Sequence, residues 1–166
     1  MNSAGPVATA NALLSAIENA MPRLNSIATN ASARRPAPGK WSPREIIGHL
    51  IDSAQNNHGR FVRAQLTDDL VFPGYAQEDW VRIQNYAECD WTALVDLWAS
   101  YNRHIARVMS LVPREVADRR RAKHNLHELA WKAVPADESA TLGYFMADYV
   151  AHLDHHLRQI WNAVRV

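Results

Sequence analysis

The chain has 166 residues, 48% of them hydrophobic and 21% charged, with 18 Lys and Arg against 17 Asp and Glu. That length fits one domain over residues 1–166 with a real core, and so even a charge balance gives no electrostatic case for nucleic acid. The single cysteine, Cys89, excludes an internal disulfide; no apolar run reaches the roughly 18 residues of a membrane span, and the first residues lack the basic start and apolar core of a signal peptide, so a cytoplasmic protein is expected.

Leu13, Ile17, Met21, Leu24 and Ile27 recur at helical spacing and predict a first helix over about 7–31. Two prolines and a glycine between Ala33 and Lys40 break it. The next start is well marked. Ser42 is a good N-cap, Pro43 falls at the first helical position, and Glu45 completes a capping box. Helix two is expected from Pro43 to about Leu66, burying Ile46, Leu50, Ala54, Asn57, Phe61 and Ala64. Along the border of that stripe His49, Ser53, Asn56 and Arg60 form a polar line beside the core. The helical wheel turns Asp52 about 60° from His49 and away from the core, towards solvent.

Residues 67–75 read as a loop punctuated by Pro73 and Gly74, and residues 77–86, with Asp79 and Trp80, as a short helix. Cys89 lies in a turn with no basic partner and reads as a bland thiol. Helix three is expected over 91–111, capped by Asp90, with Leu94, Leu97, Trp98, Tyr101, Ile105 and Val108 as its seam. A long connection follows over 113–139. Within it Leu126, Leu129 and Trp131 are expected to pack on the helices, while His124 and His127 read as polar-loop residues rather than ligands. The basic run Arg119, Arg120, Arg121 and Lys123 carries no interleaved aromatics and reads as solvated.

Ser139 or Thr141 is expected to cap helix four. Leu142, Phe145, Met146, Tyr149, Val150, Leu153, Leu157, Ile160, Trp161 and Val164 form its apolar stripe. His152 and His156 stand one above the other at the edge of that stripe. Each imidazole there can give one ring nitrogen to a divalent cation at about 2.0–2.1 Å. His155 points away from them. A pair of His four residues apart is a weak signal in a chain with eight His, and Leu153 after His152 excludes the H-E-x-x-H helix of zinc peptidases. His49 adds weight, because it also flanks a core stripe. If helices two and four are neighbours, three imidazoles converge. Four long helices with one short helical insertion make an all-α four-helix bundle, whose core is a common place for metal sites.

The stretches 40–52 and 141–160, and the insertion 72–81, resemble the helix-two, helix-four and insertion signatures of the DinB/YfiT-like superfamily, in its DinB_2 branch. The resemblance covers essentially the whole chain. It implies an up-down-down-up bundle and a divalent metal, nickel or zinc, held by His49, His152 and His156. It further implies a small-molecule reaction that uses a low-molecular-weight thiol, with transferases, isomerases and metal-dependent hydrolases among the relatives, and a homodimer.

Three neutral imidazoles leave a coordination position open. A cation so held favours a thiolate, for S-transfer, or lowers the pKa of water, for hydrolysis. The sequence leaves both open, together with a non-enzymatic metal- or ligand-binding module. Ser53, Asn56 and Arg60 are the candidates for holding an anionic substrate. Tyr149 is placed either to orient a ligand oxygen or in the core, and Asp79 near the mouth of the site. No nucleophile elbow or Ser-His-Asp arrangement supports covalent catalysis.

Overall fold

Side-chain caps set the starts of three of the four long helices. The computed structural model describes residues 5–164. In chain order the helices are α1 (Pro6–Asn25), α2 (Thr29–Ala33), α3 (Pro43–Arg63), α4 (Gln77–Ile83), α5 (Trp91–Ser110), α6 (Arg114–Asp118), α7 (Leu126–Leu129) and α8 (Leu142–Ala163), with a 3-10 turn at Tyr86–Glu88. Ser42 Oγ accepts from the backbone N–H of Glu45, and the Glu45 carboxylate accepts from that of Ser42, so the capping box of α3 is closed. The Asp90 and Thr141 side chains accept from Ala93 and Tyr144 and start α5 and α8.

The four long helices form the bundle, and their contacts fix its direction. Trp91 Nε1 at the start of α5 donates to the Leu24 carbonyl at the end of α1, so these two are antiparallel. His58 of α3 lies against Tyr101 and His104 of α5, while Tyr86, just ahead of α5, packs on Gly48. Hence α3 and α5 run parallel. Phe61 meets Phe145 and Tyr149 edge to face, whereas His49 meets His152 and His156, so α3 and α8 are antiparallel. Arg23 stacks on Trp161 near the ends of α1 and α8, which run parallel. The order is up-down-down-up. A parallel step from α3 to α5 needs a crossover along a helix about 30 Å long, and residues 64–90, with α4 and the 3-10 turn, supply it. No described helix is long and apolar enough to cross a membrane.

Several expectations are corrected. The first helix stops at Asn25 rather than near residue 31: Pro22 brings no backbone N–H, the Ser26 hydroxyl bonds the Arg23 carbonyl, and Ala28 is extended before α2 begins. Leu97 was placed in the seam of α5 but is 52% exposed. α5 packs against both α1 and α3, and its buried stripe therefore centres on Trp98, Asn102, Ile105 and Met109. Arg121, expected in solvent, is buried and donates to the Ala64 carbonyl at the end of α3, where a cation meets the negative end of the helix. His124 is buried too. It is held by the Glu138 carbonyl and the Leu126 N–H, a structural role that uses both ring nitrogens. Leu126 is buried as expected, while Trp131 remains 40% exposed.

Asp52 is the largest correction. It is 3% exposed, because the crossover covers the side of α3 that a wheel assigns to solvent. Tyr86 Oη donates to Asp52 Oδ1 at 2.7 Å and Gln84 Nε2 at 2.8 Å. The Tyr86 ring reaches that carboxylate by lying flush on α3 at Gly48, where no side chain intervenes. Burial raises the pKa of Asp52 against the opposing effect of these two donors.

Candidate metal centre

The antiparallel packing of α3 on α8 puts the polar borders of two core stripes face to face. His49 sits two turns after the Ser42 cap and is fully buried. His152 and His156 are half-buried on successive turns of α8. His152 Nε2 lies 3.4 Å from His49 Nε2 and 3.0 Å from His156 Nε2. One nitrogen from each of the three rings falls within 4.8 Å of the others. Two imidazoles on one tetrahedral ion at about 2.0–2.1 Å stand about 3.3–3.4 Å apart, nitrogen to nitrogen, and the two separations at His152 lie close to that.

Protonation points the same way. Burial, reinforced by His156, holds His49 down to about 3. Burial and the neighbouring His156, His49 and His155 lower His152 to about 2. For His156 burial is partly opposed by the hydrogen bond with Gln159, and the value is about 4. All three rings are neutral at physiological pH. His152 Nε2 faces both partners with only one proton or one lone pair to share. Protons alone satisfy that arrangement poorly, whereas a cation uses all three lone pairs.

The cluster opens on a cavity of about 590 Å³ lined by Ser53, Arg60, Tyr75, Asp148, Tyr149 and His155 among others. Arg60 is 5% exposed, and its Nη2 donates to the Pro73 carbonyl and Nη1 to Asn57 Oδ1. Among the described residues no carboxylate pairs with it, and burial lowers its pKa. Ser53 lines the wall with Oγ accepting from Asn57. Tyr149 has committed its proton to Asn102 Oδ1 at 2.5 Å across the core, which makes it a bundle tie more than a donor to ligands. Asn56 and Asp79 do not line the cavity. The Asn56 amide bonds the Asp52 carbonyl, and Asp79 is exposed in an ion pair with Arg82.

Three further residues matter that the sequence reading passed over. Asp148 accepts from the backbone N–H groups of Trp131 and Lys132 and pins that segment onto α8 as a cavity wall. Tyr75 also lines the cavity, its ring tilted against that of Trp80. Gln159 bonds His156 Nδ1 at 2.8 Å. Asp148 lies outside the apolar stripe of helix four, on the side of His155, where an acidic residue reads as solvated.

Residues 12–160 match the family model of the DinB superfamily. The chain belongs to that superfamily. It is 26% identical over 144 residues, 87% of this chain and 75% of the relative, to an Oceanobacillus iheyensis protein named "Putative metal-dependent hydrolase OB0782". Its fold resembles that of YfiT from Bacillus subtilis, described as "a probable metal-dependent hydrolase with an unusual four-helix bundle topology". The TM-score is 0.77 at 16% identity, over 95% of this chain and 84% of YfiT.

Proposed function

We propose that His49, His152 and His156 hold one divalent transition ion, and that this DinB-superfamily chain is a metal-dependent enzyme transferring a small anionic thiol through its sulfur. The observation behind this reading is that three imidazole nitrogens converge, with His49 buried behind His152 and His156, and that these last two line one cavity with a buried guanidinium that has no carboxylate partner among the described residues. Imidazole ligands suit nickel and zinc alike. Bound there, such an ion favours the deprotonated form of a thiol or of a water molecule.

The chain's own residues do the rest. Arg60 has two of its five N–H donors engaged within the protein, and the remaining ones fit a carboxylate of the thiol. Ser53 and Tyr75 shape the walls, and the segment pinned by Asp148 narrows access for water. In the transfer the thiol loses its proton, its sulfur forms a bond to an electrophilic carbon, and the leaving group departs with its electron pair. Hydrolysis, with water in place of the thiol, is the second reading, and the names of the relatives favour it.

Incubating the purified protein with anionic and neutral thiols and a panel of electrophiles, with and without nickel or zinc, tests this. Metal-dependent thioether formation selective for anionic thiols is expected. Hydrolysed electrophile without thioether would select the second reading, and an idle metal-loaded protein would refute both.

A further inference from the structure

Each metal-ligating His has an outer ring nitrogen, and what that nitrogen bonds decides which tautomer the ring adopts. His49 Nδ1 is buried and has no hydrogen-bond partner among the described residues. His156 differs. Its Nδ1 lies 2.8 Å from Gln159 Oε1, and Gln159 Nε2 lies 3.1 Å from His155 Nε2. All three residues share one helix, three and four positions apart, so α8 itself fixes the spacing.

We propose that Gln159 is a positioning residue that holds His156 in its Nδ1–H tautomer and so presents the Nε2 lone pair to the ion. This rests on the metal reading above. The hydrogen-bond chemistry closes on itself. For Nε2 to ligate, the ring proton sits on Nδ1 and needs an acceptor, which Oε1 provides. With its oxygen so oriented, the Gln159 amide donates to His155 Nε2. The His155 ring, 5.2 Å from Trp131, anchors the far end of the chain. Turned over, the amide would donate to Nδ1, place the His156 proton on Nε2 and remove a ligand. With His155 in its Nδ1–H tautomer that turn is disfavoured, because the Gln159 oxygen would then face the lone pair of His155 Nε2.

The test is competition for zinc ion against a chromogenic chelator, with wild type, Gln159→Leu and Gln159→Glu, alongside thermal unfolding of the metal-free proteins. Gln159 is exposed, so neither substitution should move the metal-free midpoint. Gln159→Leu should weaken zinc binding about 10–100-fold, the usual cost of losing an outer partner of a ligand. Gln159→Glu keeps an oxygen facing Nδ1 and should restore most of that loss. Wild-type affinity in Gln159→Leu, or an equal loss in Gln159→Glu, would overturn the role of Gln159 while leaving the metal site intact. A wild type that takes up no zinc or nickel would overturn the metal reading itself, and this inference with it.

Discussion

Replacing Gly48 by Ala tests the packing that surrounds the centre without touching a ligand. A Cβ at this position would stand 2.1 Å from Cδ2 and 2.2 Å from Cγ of Tyr86. Those are ring atoms next to the backbone of a side chain only 6% exposed, so the ring cannot simply swing aside. Forcing extra carbon into a packed site costs roughly 1–3 kcal/mol. Displacing the ring also breaks the Tyr86–Asp52 hydrogen bond, a loss of about 1.5 kcal/mol. Ala gains about 1 kcal/mol over Gly in helix propensity. The net destabilisation expected is therefore roughly 1.5–3.5 kcal/mol, read as a lowered urea midpoint. In a Tyr86→Ala background the space is vacant, and the same Gly48→Ala step should become neutral or stabilising by up to about 1 kcal/mol. An unchanged midpoint in the single variant, or the same loss in both backgrounds, would refute the close approach of Tyr86 to α3.

Ser42→Ala should destabilise the protein by roughly 0.5–2 kcal/mol in the same assay, because it opens the capping box of α3. Glu45 supplies a pH dependence: burial raises its pKa, but hydrogen bonds from Arg35 and Ser42 outweigh this and hold it below the ordinary 4.5. A depressed carboxylate stabilises the folded state above its unfolded pKa and loses that contribution as pH falls through the folded value. Wild type should therefore lose stability below about pH 4.5 more steeply than Glu45→Gln, as followed by unfolding midpoints across the acid range. Arg60→Ala should keep the ion but weaken binding of anionic thiols by roughly 1.5–3 kcal/mol, with Arg60→Lys recovering only part, by calorimetric titration against neutral analogues.

The readable parts of the fold were those set by short-range chemistry. Ser42, Asp90 and Thr141 cap helices through bonds that span three residues, so the starts of three bundle helices could be located from the sequence. His49, His152 and His156 could be brought together because each flanks an apolar stripe, and bundle packing aligns such borders. Asp52 could not be placed this way. From Glu45 to Ala54 every side of α3 is buried, since the crossover lies over the face turned from the bundle, and a wheel assumes that one face is wet. Asp148 gave little signal because its partners are backbone N–H groups, which every residue but proline carries. Leu97 was misplaced because α5 serves two neighbours at once, which shifts its buried stripe.

Metal analysis of the purified protein bears most directly on the central claim. After nickel or zinc is offered and excess removed, elemental analysis should find about one divalent ion per chain. His152→Ala removes the nitrogen that faces both other ligands and should abolish uptake, whereas His127→Ala should retain it in full. Full occupancy in His152→Ala, or no transition ion on the wild-type chain, would contradict a three-imidazole centre between α3 and α8.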